Sequence, residues 1–314
     1  MFLSSKILST GFDGLGLRWS VIPRRVRIID VGPRDGLQNE KKIVSTEKKL
    51  KLINKLADAG VGGVEATSFV SPKWIPQMQD HEAVAAALQE LQKPNVSFPV
   101  LVPNLHGFNK ALKFGVKEVA IFTAATESFT KHNTNCTLES SLERCGAILA
   151  AAGALQGIRV RGKRGSNPGD QAAQILARCW YVVFLLDCLN KQMCYPGCYE
   201  VSLADTMGTA TPGSTDKLLR AIGEYDMGLL HRIAMHFHDT RKQGLANVLA
   251  ALQFGIHTFD SSVAGLGGCP YAPGATGNLA TESLVYLLTG MGIQHGIDLE
   301  KLTDASTFAK ELIQ

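Results

Sequence analysis

The alternation of short apolar runs with amphipathic segments constrains the fold of this 314-residue chain more than any other feature. Segments with helical spacing of apolar residues, such as Thr46–Ala59 and Leu138–Ala152, lie between runs rich in apolar and β-branched residues. Strands that alternate with helices in this way pair in parallel and are joined by right-handed crossovers. The eight runs are Val26–Val31, Gly63–Thr67, Ser97–Val102, Glu118–Thr123, Gly157–Val160, Tyr199–Leu203, Ile233–Phe237 and Thr258–Ser262.

This alternation predicts an α/β fold with (β/α)8 TIM-barrel architecture, because eight β–α units suit the length of the chain. A doubly wound open sheet is the alternative. The first run, however, continues as Gly32-Pro33-Arg34-Asp35-Gly36, which lacks the GxGxxG spacing of a dinucleotide-binding sheet. The barrel is therefore favoured. Polar residues that follow its strands are then expected to meet at the carboxyl ends, where barrel enzymes hold their active sites.

Composition excludes several other classes of protein. Hydrophobic residues make up 45% of the chain and charged residues 19%. This composition is too apolar for a disordered protein. No stretch reaches the ~18 consecutive apolar residues of a membrane span, and a net charge of +4 is small for a dedicated nucleic-acid binder. We therefore expect neither membrane nor nucleic-acid partners. The seven cysteines include no CxxC pair, so a reducing compartment fits best.

The first 25 residues differ in composition from the rest of the chain. They contain four basic residues against the single acid Asp13, together with several serines. Such a composition is typical of a mitochondrial transit peptide, and an unstructured extension is the alternative. We therefore predict a transit peptide over residues 1–25, a single catalytic barrel domain over residues 26–314, and a location in the mitochondrial matrix.

His236-Phe237-His238 is the sharpest local signal for a metal site. Alternate residues of a strand point to the same side, so both imidazoles can face one ion. A pair of hydrogen-bonded barrel histidines is the alternative. Asp35 and Asn278 can add oxygen ligands, and this mixed set suits Mg²⁺ or Mn²⁺ better than a structural zinc, although Zn²⁺ stays an alternative.

Four further residues are candidates for chemistry at the same mouth. Arg34 precedes Asp35, and a guanidinium there fits an anionic substrate oxygen or a developing enolate. Glu65 is expected to pair with Arg34, and Asp205 follows the sixth run. Cys269 lies in a glycine- and proline-rich loop of the kind that often closes over a barrel mouth. It is a candidate nucleophile or acid, or a small residue in a turn.

Several longer motifs resemble the hydroxymethylglutaryl-CoA lyases. The similarity covers roughly residues 26–162 and 198–308. The Arg–Asp opening and the HxH motif also occur in sister barrels that make isopropylmalate or homocitrate, whereas Leu37-Gln38-Asn39-Glu40 and the Gly-Gly-Cys-Pro-Tyr loop are specific to the lyases. The motifs are Val31–Glu40, Glu65–Trp74, Pro103-Asn104-Leu105 and Gly265–Asn278.

This resemblance implies cleavage of 3-hydroxy-3-methylglutaryl-CoA to acetyl-CoA and acetoacetate, in ketone-body formation and leucine breakdown. It implies that Arg34 stabilises the acetyl-CoA enolate and that Cys269 donates a proton to it. Glu65 and Asp205 would complete the polar shell, with His236 aiding deprotonation of the substrate hydroxyl. We also expect a homodimer. By the same similarity, the ligands of a divalent cation are Asp35, His236, His238 and Asn278.

One segment departs from the resemblance. After Arg161-Gly162 the lyases continue strand five with a tyrosine, whereas this chain has Lys163-Arg164-Gly165, and similarity resumes at Gly197. Such sharp edges are typical of an altered exon, a retained intron or a gene-model error. A shortened strand five would leave backbone edges unpaired, so the sequence predicts reduced or absent activity. An active lyase is the leading hypothesis. The alternatives are a sister acyl-CoA-condensing barrel and a non-catalytic isoform.

Overall fold

Nine parallel strands form a continuous sheet in the computed structural model, which describes residues 21–91, 93–124, 136–166, 197–267 and 277–314. The predicted runs at residues 118–123, 199–203, 233–237 and 258–262 are strands with almost the predicted bounds. The strands are β1 (Arg27–Asp30), β2 (Gly63–Val64), β3 (Thr67–Ser68), β4 (Val100–Leu101), β5 (Glu118–Ala124), β6 (Arg159–Ser166), β7 (Glu200–Asp205), β8 (Ile233–Phe237) and β9 (Thr258–Ser261).

The sheet closes on itself between β2 and β3. Its order is β2-β1-β9-β8-β7-β6-β5-β4-β3, so these two short strands are its ends, and yet just Glu65 and Ala66 separate them in sequence. The Glu65 amide donates to Asp30 on one side and the Ala66 amide donates to Pro99 on the other. Because β2 and β3 are therefore two halves of one barrel strand, the sheet is an eight-stranded barrel. The predicted (β/α)8 fold is confirmed, and an open doubly wound sheet is excluded.

Helices follow the strands, and local capping explains several of their bounds. Ser45 accepts a hydrogen bond from Lys48 at the start of the first helix, and Gly60 ends it at φ 92°, a conformation that favours glycine. Thr211 and Ser214 form a capping box at the fifth. The helices are α1 (Thr46–Ala59), α2 (His81–Leu88), α3 (Leu105–Lys113), α4 (Leu138–Gly153), α5 (Pro212–Tyr225), α6 (Gly244–Leu252), α7 (Thr281–Gly290) and α8 (Leu299–Ile313).

The apolar core lies between the barrel and its helices. Leu52 and Leu56 of α1 and Leu284 and Leu288 of α7 are fully buried. The barrel interior is different, because charged side chains such as Arg161 are buried there. Burial of a charged group is unfavourable unless the group is paired. Several buried charged side chains of this barrel form ion pairs between strands.

Strand five of the barrel is continuous, so the prediction that it is shortened is wrong. β6 runs over Arg159–Ser166 and pairs with β5 from Arg159 to Gly165 and with β7 from Arg161 to Ser166. The basic side chains of Arg161 and Lys163 are tolerated because carboxylates of other strands pair with them. The rest of the departing segment, residues 167–196, lies outside the described residues, as does most of the predicted transit peptide.

Within the described part of the chain, no helix has the length and apolar character needed to cross a bilayer.

Candidate metal centre and active site

A tight π-helical turn after β1 positions Arg34 and Asp35. The turn spans Gly32–Gly36, and the amides of its last three residues all donate to the Val31 carbonyl at 2.7–3.2 Å. A Cβ at Gly32 would lie 2.8 Å from the Asp30 carboxylate, so no side chain fits there. Short π-helical turns are frequent at functional sites, and this one holds both polar side chains at the carboxyl end of the barrel.

The end of β8 carries the two histidines. His236 and His238 are buried, and their ring centroids lie 5.2 Å apart, so both imidazoles lie on one side of the chain as the HxH spacing predicts. The backbone of residues 277–279 pairs with this end of β8, because the Asp239 amide donates to Gly277 and the Leu279 amide donates to Phe237. This pairing brings the next side chain, Asn278, beside the histidines.

These elements assemble a cluster of potential metal ligands. One ligand atom each from Asp35, His236 and His238 lies within 4.8 Å of the others. The Asn278 amide donates to Asp35 Oδ2 at 3.1 Å. The four residues predicted as ligands are therefore neighbours, although Asp35 comes from β1 and Asn278 follows β9.

The donor atoms fit a divalent cation. Among the described residues, the buried Asn278 Oδ1 and His238 Nδ1 have no hydrogen-bond partner, and burial of such groups without a partner is unfavourable. Burial and the neighbouring His236 lower the pKa of His238 to about 4, so its imidazole is neutral and able to bind a metal. Burial opposes ionisation of Asp35, but Arg34 and His236 outweigh it and hold the pKa of this carboxyl well below its usual range.

Asp260 orients the first histidine. Its Oδ2 lies 3.4 Å from His236 Nδ1, which leaves His236 Nε2 facing Asp35 at 3.9 Å. Arg161 binds Asp260 at 2.7 and 3.2 Å, and Ser202 donates to it at 2.8 Å. Carboxylates in this position fix the tautomer of a metal-binding histidine. Asp260 is not among the residues predicted from the sequence, although an acid inside the apolar run Thr258–Ser262 is a signal for a buried functional carboxylate.

Arg34 and Glu65 form the predicted ion pair. Arg34 Nε donates to Glu65 Oε1, and Arg34 Nη1 lies 2.6 Å from Asp35 and 3.3 Å from Gln38. Glu65 is fully buried. Its other oxygen lies 2.5 Å from Nζ of Lys163, a second basic residue at the mouth that the sequence analysis did not single out. Burial opposes ionisation of Glu65, but Arg34 and Lys163 hold its pKa below the usual range.

Two further residues predicted from the sequence are Asp205 and Cys269. Asp205 ends β7, and its carboxylate accepts hydrogen bonds from the amides of Thr209 and Ala210 at 3.2 and 2.9 Å. Burial raises the pKa of Asp205. Its described contacts therefore stabilise the loop after the strand. Cys269 lies outside the described residues, and its predicted role stays a prediction.

A separate cleft of 510 Å³ lies at the amino-terminal end of the strands, lined by residues that include Arg27, Ser97, Glu118 and Arg159. None of the candidate site residues described above lines it. The candidate site residues described above lie at the other end of the strands, where barrel enzymes hold their active sites.

The fold and the site together define a TIM-barrel protein with a candidate divalent-metal centre at the carboxyl ends of its strands. Comparison with known proteins then assigns a family. The HMGL-like family model matches residues 25–309, so the chain belongs to the HMGL-like family.

Several relatives of the chain are lyases. The mitochondrial hydroxymethylglutaryl-CoA lyase of Gallus gallus is 49% identical over 300 residues, covering 91% of this chain and 93% of the relative. A cytoplasmic 3-hydroxy-3-methylglutaryl-CoA lyase of Mus musculus is 45% identical, covering 91% and 81%. The hydroxymethylglutaryl-CoA lyase structure from Pseudomonas aeruginosa has a TM-score of 0.85 at 45% identity and covers 93% of this chain and 94% of its own. An Acinetobacter baumannii HMG-CoA lyase in complex with coenzyme A and 3-methylmalate has a TM-score of 0.80 at 32% identity, covering 92% of each chain.

Proposed function

We propose that this chain cleaves 3-hydroxy-3-methylglutaryl-CoA to acetyl-CoA and acetoacetate, the reaction of ketone-body formation and leucine degradation. The observation that carries the proposal is the cluster of Asp35, His236 and His238 with the Arg34 guanidinium directly beside it. The relatives named above are lyases of this substrate, and one of them binds coenzyme A.

The residues that would hold a divalent cation are Asp35, His236, His238 and Asn278. Mg²⁺ or Mn²⁺ suits their mixed nitrogen and oxygen donors. A divalent cation held by them would supply Lewis-acid polarisation of the substrate hydroxyl, which favours loss of its proton.

Arg34 is the group that we assign to the acetyl-CoA enolate. Its guanidinium is held on one side by Glu65 and on another by Asp35, which fixes its direction at the mouth. In the proposed reaction it donates to the thioester oxygen as the bond between C2 and C3 breaks and enolate charge develops there. A preorganised donor of this kind stabilises the transition state more than the substrate.

Proton transfer completes the reaction. We assign protonation of the enolate carbon to Cys269 and assistance in removing the hydroxyl proton to His236. Asp260 supports His236 as a ligand, because a carboxylate at Nδ1 leaves the Nε2 lone pair of the neutral imidazole for the cation. Glu65 and Asp205 complete the polar shell, the first by holding Arg34 and the second by stabilising the loop after β7.

The proposal extends to the setting of the enzyme. We propose that residues 1–25 are a mitochondrial transit peptide, that residues 26–314 form one catalytic domain, and that the mature protein is a homodimer in the mitochondrial matrix. The basic, acid-poor composition of the first 25 residues supports the mitochondrial location. A fluorescent fusion of residues 1–25 tests it, and a fusion that stays in the cytosol would contradict it.

The direct test is turnover. The protein is loaded with Mg²⁺ or Mn²⁺, and acetoacetate formation is measured with a coupled dehydrogenase assay. Supplying acetyl-CoA with a 2-oxo acid in parallel distinguishes the lyase from a condensing barrel. Arg34→Ala and Cys269→Ala are each expected to lower kcat by on the order of 100-fold or more. Wild-type turnover in either variant would disprove the assigned role.

A catalytically impaired form is the second candidate, favoured by the segment from Lys163 onward that departs from the lyases. The continuous β6 removes one reason for impairment. The remaining reason is that the sequence of residues 167–196 departs from that of the lyases. Exchange of that segment for the lyase sequence, compared with the unaltered chain, measures its effect on kcat. An unaltered chain that turns over as fast as the exchange variant would refute impairment.

A further inference from the structure

Strand β6 carries two basic side chains into the barrel. Arg161 and Lys163 alternate along it, and alternate residues of a strand point to the same side. Both side chains are buried, with Lys163 5% exposed. Pairing with β5 and β7 on either side fixes the backbone from which the lysine projects.

Lys163 binds two carboxylates from different strands. Its Nζ lies 2.5 Å from Oε2 of Glu65 and 3.7 Å from Oδ2 of Asp260, and both carboxylates are fully buried. A buried carboxylate oxygen is strongly destabilised without a cation or a donor. The lysine therefore supplies the partner that keeps Glu65 Oε2 where it is.

Glu65 is in turn shared between two cations. Arg34 Nε donates to Oε1 while Lys163 faces Oε2, so the carboxylate cannot rotate without breaking one of the two contacts. Arg34 then reaches Asp35 at 2.6 Å through Nη1. A row of alternating charge results, and it runs from the carboxylate beside His236 to the candidate metal ligand Asp35. Its members in order are Asp260, Lys163, Glu65, Arg34 and Asp35.

We propose that Lys163 is a positioning residue of the lyase reaction, which holds Glu65 and through it fixes the Arg34 guanidinium for the substrate thioester oxygen. The proposal rests on the lyase function proposed above. Lys163 acts here through its neighbour, so it does not need to touch the substrate. Its loss frees Arg34 to move, and displacement of a catalytic group by about 1 Å lowers turnover by on the order of 100-fold.

The test compares Lys163→Met, which keeps the length of the side chain, with Lys163→Arg, which keeps its charge. We expect Lys163→Met to lower kcat by on the order of 10- to 100-fold with KM almost unchanged. Lys163→Arg should keep most of the wild-type kcat. Lys49→Met is the matched control. Lys49 is a buried lysine of α1 that pairs with Asp80 at 2.7 Å and is not a member of this row of charges, so its loss should lower the melting temperature without changing kcat.

A double-mutant cycle tests the route of the effect. If Lys163 acts through Glu65, Lys163→Met should cause little further loss of kcat in a Glu65→Gln background. Losses that multiply would show that it acts independently of Glu65 and would overturn the proposal. Near-UV circular dichroism verifies folding of every variant, and Lys163→Gln replaces Lys163→Met if the latter does not fold.

The outcomes separate this inference from the function on which it rests. A wild-type protein without lyase activity overturns both. An active wild type with an equally active Lys163→Met variant overturns the positioning role alone, and so does a folded Lys163→Arg variant that loses as much kcat as Lys163→Met.

Discussion

Asp30 gives the chain a dependence of stability on pH whose size follows from the structure. This carboxyl lies at the end of β1 and is fully buried. It accepts hydrogen bonds from the Gly32 amide at 2.9 Å and from the Thr281 hydroxyl at 2.7 Å. Burial outweighs these bonds and raises the pKa of Asp30 from 3.8 to about 7. The folded state therefore holds a proton that the unfolded state has already lost.

The sign of the effect follows from this difference in protons bound. Below pH 3.8 both states are protonated and Asp30 costs nothing. Between pH 3.8 and about 7 the folded state binds more protons, so the free energy of unfolding falls by about 1.4 kcal/mol per pH unit. Above pH 7 the full destabilisation of about 4 kcal/mol is present. Acidification from pH 8 to pH 5 should therefore reduce this destabilisation.

Asp30→Asn removes the ionisation and keeps the shape of the side chain. Asn Oδ1 can still accept from the Gly32 amide, and the Thr281 hydroxyl can donate to Ser261 at 2.8 Å instead. Urea unfolding of both proteins at pH 5, 6, 7 and 8, with metal chelated throughout, measures the difference in unfolding free energy. We expect Asp30→Asn to gain stability relative to the wild type as the pH rises, by a few kcal/mol in total.

The control is Asp216→Asn, which removes an exposed carboxylate paired with Arg220 on the surface of α5. It should leave the pH dependence of unfolding almost unchanged. Parallel stability curves for the wild type and Asp30→Asn between pH 5 and 8 would refute the reasoning, because they would mean that Asp30 ionises in the folded state as it does in the unfolded state.

Three further predictions concern the metal centre and the core. Asp260→Asn should weaken Mn²⁺ binding by on the order of 10- to 100-fold, because it removes the carboxylate that orients His236, and unchanged affinity by calorimetry would restrict Asp260 to the fold. Chelation with EDTA should lower the melting temperature, and excess Mg²⁺ or Mn²⁺ should restore it. The reason is that an ion at 100 times its Kd stabilises the folded state by about 2.7 kcal/mol. Equal melting curves with EDTA and with the ion would argue against the site. Leu284→Ala should lower the free energy of unfolding by about 2–5 kcal/mol, whereas Tyr286→Ala on the same helix, at a residue that is 78% exposed, should change it by less than about 0.5 kcal/mol.

Local pattern was sufficient for much of the fold. The helix predicted over Thr46–Ala59 has those bounds, because its periodicity coincides with a serine cap at one end and a glycine at the other. The strand predicted over Ile233–Phe237 is also observed with its predicted ends. The HxH spacing then placed two imidazoles side by side, since the strand period alone decides that geometry.

Pattern failed where distant charges decide the structure. Arg159–Ser166 contains five basic or glycine positions after Val160 and does not resemble a buried strand, so its length was underestimated. The partners that make it possible are remote in sequence, such as Asp260, which is 99 positions from Arg161. No short window could reveal that pairing. For the same reason Lys163 and Asp260 were missed as members of the site.

The contact between Asp35 and Asn278 has a consequence for the biogenesis of the protein. These two residues are 243 positions apart, and at translation rates of about 5–20 residues per second a ribosome needs about 12 to 50 s to synthesise the chain between them. The first strand meanwhile lacks its neighbour β9, and an incomplete chain cannot assemble the ligand cluster. Metal capture is therefore a property of almost complete chains, and a product that ends before residue 278 should be unable to use the ion for stability.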